Sequence, residues 1–154
     1  MNKVFLVSCI ILFFSSFALG QIPGGNGGKK LPAVDSSDPR KASPAYAEIL
    51  LRRTEIEADL ESLLVEYTED YPKVKQERFE LDLIVKESDR LLAVKAGDTA
   101  KLTSALGKLA VRKVELQGEL WSLQQQLGDS HPDVKRAKRK VEIFERAIKE
   151  ILGS

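Results

Sequence analysis

Two stretches of the chain match each other without a gap at a shift of sixty positions: ILLRRTEIEADLESLLVEYTEDYPKVKQERFELDLIVK (residues 49–86) and LAVRKVELQGELWSLQQQLGDSHPDVKRAKRKVEIFER (residues 109–146). The aligned identities include Arg52 with Arg112, Glu55 with Glu115, Leu60 with Leu120, Leu63 with Leu123, Pro72 with Pro132 and Val74 with Val134. Heptad-rich sequences can match by chance, but a proline in the same frame of both copies is harder to obtain that way. We therefore interpret the two stretches as an internal duplication.

Apolar residues recur in both copies at steps of three and four, which is the spacing of one face of an amphipathic helix. In the first copy they are Tyr46, Ile49, Ile56, Leu60, Leu63 and Tyr67 before the proline, and Val74, Leu81, Ile84 and Leu91 after it. In the second copy they are Leu106, Leu109, Leu116, Leu120, Leu123 and Leu127, then Val134, Ala137, Val141, Phe144, Ile148 and Ile151. Each copy thus predicts two helices. The residues expected in the core are Leu60, Leu63, Leu116, Leu120, Leu123, Phe144 and Ile148.

Each copy is interrupted by a proline, at Tyr71-Pro72 and at His131-Pro132. Proline lacks the N–H that a helix interior needs, and it disfavours the helical conformation of the residue before it. We therefore expect Tyr71 and His131 to be extended hairpin-turn residues and each proline to begin a new helix. Because the chain has a single histidine, a turn or capping role for His131 is favoured over a role as base or metal ligand.

Short breaks of this kind favour antiparallel helix pairs. The predicted fold is all-α: a helical hairpin over residues 44–95, a connector at 96–99 in which Asp98 or Thr99 caps the next helix, and a second hairpin over 100–152. One hairpin alone leaves much of its apolar face in water. The two hairpins are therefore expected to pack as a four-helix bundle, or to form a coiled-coil-like pair that buries its seam against another copy or a partner.

One seam position is basic in both copies, as Arg53 and Lys113. A charged residue at such a position can fix the register or the oligomeric state at a cost in stability. In the other interpretation, its aliphatic stem lies along the seam while its charge stays in water. We favour the second interpretation for both residues.

The first twenty residues have the pattern of a secretory signal peptide. Lys3 precedes an apolar run over residues 4–14, and the small residues Ala18 and Gly20 precede a cleavage site before Gln21. The alternative is an uncleaved segment that anchors the protein in a membrane. Residues 21–43 are rich in glycine and proline and poor in apolar side chains, so we expect a flexible leader. The predicted location is the periplasm or the exterior of the cell.

The chain of 154 residues carries 24 Lys and Arg against 23 Asp and Glu. This balance argues against a nucleic-acid partner, because nucleic-acid-binding domains need a basic excess. The charges are segregated, since residues 44–70 hold eight acidic and two basic residues and residues 132–152 hold seven basic and four acidic ones. Opposite charge predicts that the first and last helices are neighbours, within one chain or between chains.

The last helix contains a dense basic run. Its members are Lys135, Arg136, Lys138, Arg139 and Lys140. We interpret this run as a solvated helix face, and the alternative is a surface that binds an anionic glycan, a lipid head group or another partner.

The sequence offers no basis for an enzymatic reaction. It contains no Gly-rich phosphate loop after a strand, no nucleophile elbow, no Ser/His/Asp set and no cluster of Cys and His. We therefore expect no catalytic residue, no bound metal and no cofactor. Trp121 lies beside the seam residue Leu120, and we expect it to be a packing residue or an interface anchor rather than a ligand platform.

The two proline turns carry a family resemblance. The segments Leu63-x3-Tyr67-x3-Tyr71-Pro72-x-Val74 and Leu123-x7-His131-Pro132-x-Val134, each followed by heptads, resemble the periplasmic coiled-coil region of bacterial polysaccharide co-polymerases, the chain-length-determinant family. Members of that family assemble as membrane-anchored oligomers that govern polysaccharide length or export. The resemblance implies a free-standing version of their coiled-coil arm.

These features predict a bacterial, exported, non-enzymatic helical protein that mediates protein–protein assembly or scaffolding in the cell envelope, with a link to polysaccharide export. Its partner is expected to be another protein or a second copy of the chain, bound through helix seams. The alternative function is a periplasmic chaperone-like or anionic-ligand-binding helical module. Contact with a membrane is expected only if the N-terminal segment stays uncleaved.

Overall fold

The computed structural model describes residues 38–153, and these form an all-α structure. Its four α-helices are Pro44–Glu66 (α1), Pro72–Leu92 (α2), Ser104–Leu127 (α3) and Pro132–Leu152 (α4), and a 3₁₀ helix spans Ala96–Lys101. The predicted all-α fold of tandem helical hairpins is confirmed. The signal peptide predicted at residues 1–20 lies outside the described residues, as does the part of the predicted leader before residue 38.

The local structure repeats at the same shift of sixty positions as the sequence. Pro72 begins α2 and Pro132 begins α4, and the two helices have equal length. Ser43 precedes α1 and Thr103 precedes α3, and each side chain accepts a hydrogen bond from the backbone N–H three residues further on. Such hydroxyl caps satisfy donors that the first turn of a helix leaves unpaired. The duplication is therefore one of structure as well as of sequence.

The connector between the hairpins differs from its predicted form. Neither Asp98 nor Thr99 caps α3, because both belong to the 3₁₀ helix, which ends before α3 begins. Thr103 takes the capping role instead.

The described structure includes six residues ahead of α1. Residues 38–43, which the sequence assigned to the flexible leader, form a turn ahead of the helix. In this turn the Arg40 guanidinium donates hydrogen bonds to the carbonyl oxygens of Leu92 and Val94 at the end of α2. The entry to α1 is thereby tied to the exit of α2.

Hairpin 1 (α1 and α2) and hairpin 2 (α3 and α4) stack in the same orientation. The N-terminal ends of α1 and α3 lie together: the backbone N–H of Ala45 bonds the carbonyl of Leu102 at 3.2 Å, and the Ser104 hydroxyl bonds the Glu48 carboxylate at 2.7 Å. From this end α3 runs alongside α1 and contacts α2 and α4 as well. Successive helix pairs of α-solenoids stack in a comparable way.

α1 and α4 do not pack against each other within residues 38–153. The expectation that their opposite charges make them neighbours within one chain is therefore wrong. The reason is steric, because α3 packs against α1 and separates it from α4. Pairing of these charges between chains is unaffected by this finding.

The core lies near the helix ends opposite the proline turns. Its fully buried residues include Ile49, Ile56, Ile84, Leu91, Leu102, Leu106, Val114 and Ile148. Among the predicted core residues, Leu60, Leu116 and Ile148 are buried and Leu63, Leu120, Leu123 and Phe144 are half-buried. Three of the half-buried residues lie in the parts of α1 and α3 that lead to a turn, and Phe144 lies on α4, whose main contact is α3 alone.

Two glycines allow α3 to approach hairpin 1 closely. A Cβ atom added at Gly107 would lie 2.8 Å from the carbonyl oxygen of Ala45 and 2.8 Å from the Cβ of Glu48 on α1. A Cβ atom added at Gly118 would overlap the side chain of Glu80 on α2. The stacking of the hairpins thus depends on glycine, which has no side chain, at both positions.

Replacing Gly107 with alanine should destabilise the fold by about 1 to 3 kcal/mol, because backbone atoms of α1 must move to admit the methyl group. Urea denaturation followed by circular dichroism measures this loss. The matched control is Gly97→Ala, since an added Cβ there has no neighbour within 4 Å. Equal stabilities for the two variants would contradict the close helix approach.

Candidate functional site

A buried ionic cluster lies where α2, α3 and α4 meet. The Lys113 ammonium on α3 contacts the carboxylate of Glu87 on α2 and lies 2.8 Å from that of Glu145 on α4. Arg90 of α2 lies 3.2 Å from the same Glu145 carboxylate. The cluster therefore links both hairpins through charge-assisted hydrogen bonds.

The two basic seam residues have different environments. Arg53 is exposed and pairs with Glu57 at 2.7 Å on its own helix, as the favoured interpretation expected. Lys113 is only 5% exposed, so the expectation that its charge stays in water is wrong. The reason is that two carboxylates from other helices replace the water around its ammonium group.

Lys113 and Arg90 also set the acid–base behaviour of Glu145. Burial by itself would raise the pKa of Glu145, but hydrogen bonds and positive charge from Lys113 and Arg90 outweigh burial and hold that pKa below its ordinary value. A lowered carboxyl pKa stabilises the fold above the unfolded-state pKa of about 4.3. This contribution is lost as the pH falls through the lower pKa of the folded state.

The buried face of α2 contains glutamates that the sequence analysis missed. They are Glu77, Glu80 and Glu87. Glu77 pairs with Lys73 at 2.7 Å, and Glu80 pairs with Arg52 of α1 at 3.1 Å. Their spacing is a usable signal, because they continue the buried row between Val74 and Leu91 at steps of three and four.

The basic run of α4 is an exposed helix face with few partners. Arg136 pairs with Asp133, and Lys138 lies 3.0 Å from Asp129. Lys135, Arg139 and Lys140 are exposed and form no ion pair with another described residue. Arg136, Arg139, Lys140 and Ile143 form an exposed surface that we name the α4 basic face.

The residues around the two turns have structural contacts. Tyr71 stacks on Tyr67 with ring centroids 4.0 Å apart, and the Nδ1 atom of His131 accepts a hydrogen bond from the backbone N–H of Asp133 at 3.2 Å. His131 thus caps α4. Trp121 stacks on Phe79 of α2 at 5.6 Å, so it packs α3 against hairpin 1.

A second row of residues runs along the outer side of α1 and is exposed. It follows steps of four and three and consists of Ala47, Leu51, Thr54, Ala58, Glu61 and Val65, all exposed; we name it the α1 outer stripe. Leu51 is 59% exposed and Val65 is 85% exposed. All of its members except Glu61 are small or apolar, and such residues at this spacing form the kind of surface on which another helix packs.

Residues 38–153 contain neither a metal-binding cluster nor a membrane-spanning helix. This part of the chain holds no group of His, Cys, Asp or Glu side chains placed to bind a metal ion. Each of its helices is too short or too polar to cross a bilayer.

Comparison of the chain with protein-family models, curated proteins and solved structures gives no significant match. The resemblance to polysaccharide co-polymerases therefore stays a prediction.

Replacing Lys113 with methionine should lower the free energy of unfolding at neutral pH by about 3 kcal/mol, because two carboxylates lose their buried cation. The loss should shrink as the pH falls and the Glu145 carboxyl becomes protonated. Urea denaturation at several pH values measures both effects.

Arg53→Met is the matched control, since it changes the equivalent but exposed residue of the first copy. Its effect should stay within about 0.5 kcal/mol. A loss for Lys113→Met no larger than that of the control would show that the cluster does not stabilise the fold.

Proposed function

We propose that this chain is an exported, non-enzymatic helical protein that mediates protein–protein assembly in the bacterial cell envelope. The observation that carries the proposal is the α1 outer stripe, where Leu51 and Val65 are exposed to water at the spacing of a helix seam. Exposing apolar side chains in a row is unfavourable unless a partner covers them. A helix of another protein molecule is the partner whose shape fits such a row.

The envelope location is supported by the sequence of residues 1–20, which has the order of charge, apolar run and small residues found in secretory signals. The link to polysaccharide export is supported by the resemblance of the two proline turns to the co-polymerase coiled coil. Both parts of the proposal concern where the assembly occurs, whereas the α1 outer stripe concerns how it forms.

A photo-crosslinking amino acid placed at Leu51 should form a covalent adduct with a second protein molecule in cells that express the full chain, because the proposed partner covers this residue. Denaturing electrophoresis and mass spectrometry detect and identify the adduct. Asp82 is the control position, since it is exposed on α2 and lies outside the stripe. If neither Leu51 nor Val65 gave a protein adduct, the proposed assembly function would be contradicted.

A second candidate function is the chaperone-like or anionic-ligand-binding module. It is favoured by the exposed cations Lys135, Arg139 and Lys140, which lack ion-pair partners among the described residues. A polyanion could neutralise them together, and its binding would weaken as salt screens the charges.

This second function predicts retention on a heparin column at low salt and release as the salt concentration rises. Changing Arg139 and Lys140 to glutamate should abolish the retention. The control changes the exposed Lys86 and Lys95 to glutamate and so alters the net charge equally. Elution of both double variants at the same salt concentration would rule out a specific polyanion surface on α4.

A further inference from the structure

Hairpin 2 docks on hairpin 1 through one face of α3. α3 places Gly107 against α1, Gly118 against Glu80, and Trp121 against Phe79. Val111 lines a groove between α3 and α1, and Leu51, at the edge of the α1 outer stripe, lines the α1 side of the same groove. These positions on α3 form one docking face, and they use small residues where the helices are closest.

The equivalent residues of hairpin 1 are not covered by any described element. At a shift of sixty, Gly107, Val111, Gly118 and Trp121 correspond to Ala47, Leu51, Ala58 and Glu61. All four of these are exposed and belong to the α1 outer stripe. Alanine stands at both glycine positions, so this face keeps the small residues that a close helix contact needs. Hairpin 1 thus carries a docking face that no other element of residues 38–153 covers.

The surface of hairpin 1 that contacts α3 also has an equivalent in hairpin 2, which we name the receiving face. The equivalent residues there are basic. Glu48, Phe79 and Glu80 of hairpin 1 receive α3. At the same shift these positions are Lys108, Arg139 and Lys140 in hairpin 2. The three basic residues are exposed, and two of them belong to the α4 basic face. The surface that would receive a further hairpin is therefore positive.

The docking face carries one charge, the carboxylate of Glu61, and the receiving face carries the basic Lys108, Arg139 and Lys140, so the two faces are opposite in charge. Residues 44–70 hold eight acidic and two basic residues, and residues 132–152 hold seven basic and four acidic ones. Within one chain these two segments are kept apart, because α3 lies between α1 and α4. Their charges can meet only when they belong to different chains.

We propose that copies of this chain stack head to tail, with the α1 outer stripe of one copy lying on the α3–α4 groove of the next as α3 lies on hairpin 1. This proposal rests on the proposed assembly function and names its partner, a second copy of the chain. Each copy offers one docking face and one receiving face. The contact joins unlike surfaces, so stacking continues along an axis rather than ending at a dimer.

We take the register of the proposed contact between copies from the contact of α3 with hairpin 1 inside one chain. Where Trp121 stacks on Phe79 within the chain, Glu61 of one copy meets Arg139 of the next. An aromatic stack is thus replaced by an ion pair of opposite charges.

The contact between copies is weaker than the contact within the chain. The positions that correspond to Glu87 and Glu145 are Ala147 and Val85, so the buried ionic cluster has no counterpart there. Association is therefore expected to depend on protein concentration, and it should weaken with salt because the Glu61–Arg139 pair lies near the surface.

Sedimentation velocity of the protein purified from cells that express the full chain tests the proposal. The wild type should form species larger than a dimer as its concentration rises. Glu61→Arg and Arg139→Glu should each weaken association by about tenfold, since each places like charges opposite one another. Combining both substitutions in one chain should restore association, because the two reversed charges attract again.

Asp82→Arg is the control of equal charge change. Asp82 corresponds to Glu142, which is exposed in the stacked hairpins, so association should not change. Circular dichroism should show the same helix content for all variants, because each substituted residue is exposed.

A monomeric wild type, a species that stops at a dimer, or a double variant as weak as the single ones would overturn the stacking. The photo-crosslink at Leu51 separates this failure from failure of the assembly function. An adduct with a different protein would leave the assembly function in place while the head-to-tail stack is lost. Absence of every adduct would remove both.

Discussion

The whole structure depends on how closely α3 approaches hairpin 1. Gly107 and Gly118 remove side chains at the points where α3 meets the backbone of α1 and the side chain of Glu80. This approach buries Ile49, Ile84 and other residues that a single hairpin would leave partly in water, at a gain on the order of 1.5 to 3 kcal/mol each. Neither hairpin has a core of its own large enough to be stable alone. The glycines therefore turn two marginal units into one.

The ionic cluster makes this stacking specific. Taking the ammonium group of Lys113 out of water is costly unless carboxylates surround it, and Glu87 and Glu145 supply them from two different helices. The corresponding positions of the other copy carry no such pair. An arrangement with the hairpins exchanged would leave the lysine unpaired, so the order of the hairpins is selected by electrostatics as well as by packing.

The sequence was sufficient to predict the helices and the turns between them. It was insufficient to predict which residues of different helices lie against each other. Proline chemistry and the shift of sixty positions placed the turns before Pro72 and Pro132, because both are local effects. The burial of Lys113 could not be read in the same way, since a seam position specifies a face of a helix and not which groups lie opposite it. The α1 outer stripe has the same spacing as a buried row, and only the packing shows that it is exposed.

Residue 38 and residue 153 lie at the same end of the two stacked hairpins. Arg40 is bonded to the end of α2, and the Lys101 ammonium bonds the carbonyl oxygen of Leu152 at 3.0 Å. The two proline turns occupy the opposite pole. Force applied through a tether ahead of residue 38 would therefore load the capped helix ends first, and it would leave the turns projecting away from the point of attachment.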